Sequence, residues 1–166
     1  MDFQFEITRR LSREHHDVGQ LMARLQSLLA AAASQPDWRD PRARRVLADL
    51  KAALEGEIPR HFAIEESELF PLIAEEGDPE MVDLLQEDHR TILALAAEIR
   101  PLVVHALERG VLELDRWESL RSRGQAFATE LASHADKEEL GLVPALDELL
   151  DADEDRRIQS RYAAMA

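Results

Sequence analysis

One pattern occurs twice in this chain, and it constrains the fold more than any other feature. Residues 61–71 read HFAIEESELFP and residues 134–144 read HADKEELGLVP, so each copy has a His, two Glu beginning four residues later, and a Pro ten residues after the His. A further His precedes each copy, 46 residues before His61 and 45 residues before His134. This recurrence of four His and two Glu indicates a duplicated two-helix unit that carries metal ligands.

The spacing within each copy is what predicts a metal site. Residues i and i+4 lie on the same face of a helix, about one turn apart. His61 and Glu65 form such a pair, and so do His134 and Glu138. The imidazole and the carboxylate of one face can bind the same cation or two adjacent cations. Single pairs of this kind are common on solvated faces, whereas two pairs in register, each with an upstream His, favour metal binding.

Composition and charge exclude several classes of protein. The chain has no Cys, which excludes disulfides, thiolate ligands, iron–sulfur clusters and cysteine catalysis. Its net charge is −14 and its Lys and Arg residues are dispersed, so we expect no nucleic-acid partner. The N-terminus is charged without a signal-peptide core, and no apolar run of about 18 residues is present. We therefore expect a cytoplasmic protein that does not enter a membrane.

Apolar spacing predicts four long helices joined by short connectors that contain Pro and Gly. The predicted ranges are about 4–33, 41–70, 79–107 and 113–149. Apolar residues make up 45% of the chain and aromatic residues only 5%, which favours a helical protein. Together these features predict an all-α fold, an antiparallel up-down-up-down four-helix bundle.

Prolines inside the predicted helices should kink or end them, and the C-terminal tail lies outside the predicted bundle. Pro59 should kink the second helix or end a segment just before the first motif, and Pro71 should end that helix or bend its last turn. Pro101 should kink the far end of the third helix. Residues 1–150 then form the bundle, while residues 151–166 form a tail or a short fifth helix that packs loosely or frays.

The apolar faces identify the upstream His of each unit. His89 is followed at helical spacing by Ile92, Leu93, Ala96 and Ile99, which we expect to point inward. In the first helix there is a choice between two adjacent His. From His15 the same offsets reach Val18, Gly19, Met22 and Leu25. From His16 they reach Gly19, Gln20, Ala23 and Gln26, a poorer core face. We therefore choose His15 and expect His16 to flank the site or to be solvated.

Other polar residues are expected to lie away from the site or to have a structural role. At 100° per residue, His105 lies about 160° around the helix from His89 and should be on the surface. Glu66 and Glu139 follow their His by five residues, so each diverges by about 140° in a regular helix. Glu68 faces the site, but its counterpart in the second copy is a glycine, so we expect it in a salt bridge.

An alternative without metal remains open at this point. Six polar residues on inward apolar stripes would cost free energy if they were buried without partners. A bound metal removes that cost, and a buried hydrogen-bond network is the alternative.

The doubled HxxxE…P pattern resembles the hemerythrin family, also called the HHE cation-binding domain, over residues of about 5–150. The resemblance implies two iron ions inside the bundle, a non-haem diiron centre bridged by carboxylates and by a solvent-derived oxygen. The implied ligands are His15, His61, Glu65, His89, His134 and Glu138. Each iron would receive two His, with the two Glu as bridges and one position left open. Manganese or zinc could occupy the same groups.

Two departures separate this chain from the oxygen-carrying members of that family. Those members have HxxxH in the third helix, but here Leu93 stands four residues after His89. They also have an Asp five residues after the last His, where this chain has Glu139. The set of four His and two Glu is more similar to HHE proteins of iron–sulfur repair, nitric-oxide response and iron sensing.

The resemblance therefore implies a protein that binds or senses a small diatomic ligand such as dioxygen or nitric oxide, or that senses redox or iron status. An alternative is a diiron enzyme that consumes peroxide or nitric oxide, or that donates iron for cluster repair. A third reading is a structural cation that stabilises the bundle. The sequence points to no particular protein partner.

Overall fold

The computed structural model describes residues 3–30 and 34–165, and over these residues it is helical without strands, as expected. The helices are α1 Glu6–Ala30, α2 Pro41–Ala52, α3 Ile58–Ile64, α4 Phe70–Glu75, α5 Pro79–Arg109, α6 Leu114–Lys137, α7 Val143–Leu149 and α8 Ala152–Ala164. π-Helical turns at Ala53–Glu57, Glu65–Leu69 and Glu138–Leu142 join α2 to α3, α3 to α4 and α6 to α7. The last residues of the predicted first helix, 31–33, lie outside the described residues.

Side-chain contacts between the long helices set their register. α6 packs against both α1 and α5, and α2 packs against α1 and α5. Ser12 at the start of α1 contacts Glu139 just beyond α6, while Gln26 near the end of α1 contacts Thr129. Residue numbers thus rise along α1 as they fall along its neighbour. This register brings the first half of α1 to the level of the C-terminal end of α6.

Buried apolar residues form two clusters, and the predicted ligands fall between them along the long helices. In α1, Leu11 belongs to one cluster and Met22 to the other. In α5, Leu85 and Ile92 are divided in the same way. The polar layer is therefore closed above and below by apolar side chains, which lowers the local dielectric and strengthens electrostatic interactions.

The helices run on through three prolines instead of ending there. Pro59, Pro71 and Pro144 each stand two residues after a π-helical turn. The residue before the proline donates its N–H to the carbonyl five residues earlier, as Phe70 does to Glu65. A proline lacks the N–H and its ring clashes with the carbonyl four residues back, so the wider turn accommodates it. The second helical run consequently continues to residue 75, beyond the predicted end.

Several residues differ from the sequence prediction. Leu93, expected to point inward, is 40% exposed. Trp38, in a predicted connector, is fully buried beside Trp117, with ring centroids 5.9 Å apart. Helix α5 contains Pro101 and runs to Arg109, beyond the predicted end at about 107, and Gly110 caps it in a left-handed conformation with φ 74°. None of the helices in the described ranges combines the length and apolar character that a membrane crossing requires.

The C-terminal helix α8 is an integral part of the core, so the expectation that it packs loosely or frays is wrong. Ile158 and Tyr162 are both 0% exposed and join the apolar cluster that contains Leu11. At its start, the Asp151 carboxylate accepts the N–H of Glu154 in a capping box, which favours the helix.

Carboxylates of α7 and α8 also cap the start of α1. Asp147 accepts the backbone N–H of Gln4 at 2.9 Å, and Asp155 accepts that of Ile7 at 2.9 Å. The first N–H groups of a helix have no partner within it, and Asp155 satisfies that of Ile7 from another part of the chain. Asp147 binds the segment just before the helix. The C-terminal residues thereby fix the helix that carries His15.

We expect Ile158→Ala to lower the free energy of unfolding by about 2–5 kcal/mol, because it opens a cavity in a packed core. Ser160→Ala, on the exposed side of the same helix, should change it by less than about 0.5 kcal/mol. Urea unfolding followed by circular dichroism measures both. Equal stabilities of the two variants would mean that α8 is not part of the core.

Candidate metal centre

The six predicted ligand side chains are all buried and converge on one layer. Exposure ranges from 0% for Glu65, His89 and Glu138 to 8% for His15. The ligand atoms fall into two groups of four, and within each group they lie within 4.8 Å of one another. One group is His15, His61, Glu65 and Glu138, and the other is Glu65, His89, His134 and Glu138. The two carboxylates belong to both groups, as bridges between two cations would.

Each central carboxylate presents one oxygen to each group. Oε1 of Glu65 is 2.9 Å from Nε2 of His61, and its Oε2 is 3.4 Å from Nε2 of His89. Oε2 of Glu138 is 3.0 Å from Nε2 of His15, and its Oε1 is 3.3 Å from Nε2 of His134. All four imidazoles thus direct the same nitrogen, Nε2, into the centre.

These contacts leave the centre short of hydrogen bonds. Among the described residues, no group donates a well-directed hydrogen bond to any carboxylate oxygen of Glu65 or Glu138, despite the short distances. The Nε2 atoms of His15 and His61 also face each other at 3.2 Å, where at most one of them can donate. Unsatisfied buried carboxylates cost free energy. Imidazole and carboxylate donors together suit iron, manganese or zinc, so these residues fit a bound metal.

A second set of carboxylates holds the opposite nitrogen of three imidazoles. Nδ1 of His61 donates to Glu14 at 2.8 Å, and Nδ1 of His89 donates to Glu66 at 2.8 Å. Nδ1 of His15 lies 3.2 Å from Glu139. A carboxylate on Nδ1 fixes the tautomer and ring orientation that leave the Nε2 lone pair free for a metal.

Sequence reasoning missed this second set, although the sequence contains its signal. An acidic residue stands directly before each upstream His, namely Glu14 and Asp88. The second Glu of each Glu-Glu pair belongs to the set as well, since Glu66 and Glu139 reach the upstream His of the opposite unit. The doubled motif thus encodes the groups that orient the imidazoles as well as those that face the centre.

One of these carboxylates has further buried partners. The hydroxyl of Tyr162 donates to Glu14 at 2.6 Å, and Nε of Arg10 donates to it at 2.9 Å. Burial raises the pKa of Glu14, but its hydrogen bonds with His61 and Tyr162 outweigh burial and lower that pKa to about 2. Burial raises the pKa of Tyr162 to about 12. At neutral pH the phenol therefore donates and the carboxylate accepts.

The remaining candidates lie where the sequence predicted. His16 is exposed and contacts Gln20 at 2.7 Å. His105 is at the surface beside Arg116. Glu68 is bridged to two arginines of α8, with Arg157 at 2.6 Å.

A small apolar cavity adjoins the centre. Its volume is about 20 Å³, and its walls include Val18, Phe62 and Leu131 together with His15 and His61. A space of that size holds about one water molecule. Glu57 also lines the cavity, and burial raises the pKa of this half-buried carboxyl group.

The charges of the centre determine how its stability depends on pH when no metal is bound. Burial lowers the pKa of His61, but the facing Glu65 and Glu138 outweigh it and raise this pKa well above 6.5. At His15 and His89 the facing carboxylates likewise outweigh burial and raise the pKa. At His134 the effect of burial is larger, and the pKa is lowered. Burial raises the pKa of Glu138, but the facing imidazoles of His15, His61 and His134 outweigh burial and lower this pKa.

We expect the metal-free protein to be most stable in mildly acidic solution. A raised pKa, as at His61, contributes stability below the unfolded value of 6.5 that is lost as pH rises through the folded pKa. A lowered pKa, as at Glu138, contributes stability above 4.5 that is lost as pH falls below it. The lowered pKa of His134 reduces the free energy of unfolding below pH 6.5 and so offsets part of the contribution of the other imidazoles. Urea unfolding of chelator-treated protein across this range measures the effect, and stability that climbs steadily into alkaline solution would contradict it.

Comparison with known proteins agrees with this geometry. No curated protein sequence matches the chain significantly. The family model of the hemerythrin HHE cation binding domain matches residues 6–146, which include all six residues of the centre. A metal site, typically one for iron, is what this domain implies, and the two His and Glu clusters are present to form it. The chain therefore belongs to the hemerythrin family of HHE cation-binding domains.

Proposed function

We propose that this protein holds a non-haem diiron centre that binds or senses a small diatomic ligand, dioxygen or nitric oxide, or that senses redox or iron status. His15 and His61 would hold one iron and His89 and His134 the other, with Glu65 and Glu138 as bridges. The support is that each carboxylate directs one oxygen to each pair of imidazoles. The type of donor suits iron, and manganese or zinc could occupy the same groups.

The proposed scaffold is an antiparallel up-down-up-down bundle of four helical runs. These runs are α1, α2 to α4, α5, and α6 to α7. The support comes from contacts whose residue numbers rise in one run and fall in the next. Examples are Asp88 with Lys137 and Glu98 with Arg123, between α5 and α6. Such a bundle lets ligands from all four runs meet at one level.

The cavity beside His15 and His61 is the observation that carries the proposed function. Its volume of about 20 Å³ admits a molecule of one or two heavy atoms. Walls formed by Val18, Phe62 and Leu131 favour a neutral, weakly hydrated molecule over an anion. Ordinary pockets for larger organic ligands measure about 300–1,000 Å³. Bound iron would supply electron exchange with such a small molecule, and the chain would select it by size and polarity.

An enzyme is the alternative, and Glu57 is the observation that favours it. This carboxyl group lines the cavity, and burial raises its pKa above the usual value for a glutamate. A protonated carboxyl group beside the bound small molecule could act as a general acid. The enzyme would consume peroxide or nitric oxide. Alternatively, the protein would donate iron for the repair of iron–sulfur clusters.

Anaerobic purification followed by mass spectrometry of the metals is the first test. About two irons per chain supports the proposal. Absorption spectra recorded with dioxygen, nitric oxide and peroxide then separate the functions. A reversible spectral change supports binding or sensing, whereas sustained consumption supports the enzyme. A metal that reacts with none of the three and does not leave the protein when iron is scarce would indicate a structural cation and overturn both.

Glu65→Ala and Glu138→Ala should each remove a bridge and reduce the metal content strongly. The adjacent Glu66→Ala is the matched control, because Glu66 binds Nδ1 of His89 and not the Nε2 that faces the centre. Loss of such an outer partner typically weakens metal binding by about 10- to 100-fold, so Glu66→Ala should still fill with metal at high concentration. His105→Ala should leave the content unchanged. Full loading of both bridge variants would refute the assigned ligands.

Val18→Phe should fill the cavity and slow ligand binding while leaving the metal in place. Overpacking of this kind costs about 1–3 kcal/mol of stability, so the metal content must be measured as well. Val111→Phe, at a site 55% exposed, is the matched control. Stopped-flow mixing with nitric oxide gives the rate for each variant. An unchanged rate in the metal-loaded Val18 variant would show that ligands reach the centre by another route.

A further inference from the structure

The C-terminal helix breaks the symmetry of the duplicated motif. α8 packs against α1 and α3, the helices that carry His15 and His61. It begins at residue 152, beyond the end of the family match at residue 146. Whatever α8 contributes to the centre is therefore a property of this chain outside the matched domain.

Tyr162 of α8 reaches the centre through one carboxylate. Its buried hydroxyl donates to Oε2 of Glu14 at 2.6 Å, and the same oxygen accepts Nδ1–H of His61 at 2.8 Å. Arg10 binds the other oxygen of Glu14, and its guanidinium lies 3.8 Å from the centre of the Tyr162 ring. Tyr162 and Arg10 therefore hold Glu14 in the position that orients His61.

The equivalent carboxylate of the second unit is arranged differently. Oδ2 of Asp88 lies 3.5 Å from Nδ1 of His134, too far for a good hydrogen bond. That oxygen accepts from Lys137 at 2.6 Å instead. Within the part of the chain that the structure describes, the buried Nδ1 of His134 has no hydrogen-bond partner. The two units thus share a motif but differ in how firmly their downstream His is held.

We infer that Tyr162 is a positioning residue that makes the two metal positions inequivalent, so that the position of His15 and His61 fills first. This inference rests on the diiron centre proposed above. A carboxylate on Nδ1 fixes the ring and makes Nε2 a stronger donor to a metal. In the first position both imidazoles have such a partner. In the second position only His89 has one, namely Glu66.

Stepwise metal binding tests the inference. Metal-free protein is titrated anaerobically with Co²⁺, and the two binding steps are followed by calorimetry and visible absorption. Wild-type protein should show two separable steps. Tyr162→Phe keeps the ring and removes the donated hydrogen bond, so it should weaken the tighter step by about 2- to 10-fold and leave the other step unchanged. Ser160→Ala, on the exposed side of α8, should change neither step.

A second pair of variants keeps the test informative if Tyr162→Phe folds poorly. Glu14→Gln should weaken the tighter step more than Asp88→Asn weakens the other, because only Glu14 is bonded to its imidazole. Nitrogen-15 NMR of labelled His gives a direct reading. The Nδ1–H signal of His61 should move in the Tyr162→Phe variant while that of His89 stays, whereas a purely structural role of Tyr162 would move both.

The outcomes separate this inference from the function on which it rests. Wild-type protein that binds fewer than two Co²⁺ defeats the diiron proposal and the inference together. Two bound ions with identical affinities, or a tighter step that both Tyr162→Phe and Glu14→Gln leave unchanged, overturn the inference alone. In those cases the diiron centre stands and α8 serves only to stabilise the fold.

Discussion

The rest of the structure depends on two carboxylates buried at its centre. Glu65 and Glu138 are 0% exposed and lie between two apolar clusters, where an unpaired negative charge is costly. Four imidazoles approach them through Nε2 without forming well-directed hydrogen bonds among the described residues. A pair of cations at this point would turn the least favourable part of the core into a source of folding free energy.

The outer carboxylates extend this electrostatic arrangement from the centre to the surface. Glu14, Glu66 and Glu139 hold Nδ1 atoms, and Lys137 holds Asp88. Negative charge next to imidazole strengthens it as a metal ligand. Part of the net charge of −14 is thus concentrated around one site. The acidic residues of the chain therefore surround the centre as well as cover the solvated surface.

The sequence predicted the helical class and the positions that converge because both follow from periodicity. His15 was separated from His16 by its apolar neighbours alone, and the structure buries His15 and exposes His16. Contacts between distant segments left no such periodic signal. The burial of Trp38 in a connector and the packing of Tyr162 depend on the tertiary fold. Leu93 continues an apolar pattern yet is 40% exposed, because a pattern marks a face without fixing which of its residues a neighbouring helix covers.

The spacing that the two copies share has a physical reason in the prolines. Pro71 and Pro144 each stand two residues after a π-helical turn, and those turns begin at Glu65 and Glu138. In a regular helix the proline ring would clash with the carbonyl four residues earlier, whereas the wider turn avoids the clash. The same turns carry the second Glu of each pair, so that Glu66 reaches His89 on α5 while Glu65 faces the centre. The His, the two Glu and the Pro of each copy therefore act as one unit, in which the proline favours the turn that lets adjacent carboxylates serve different imidazoles.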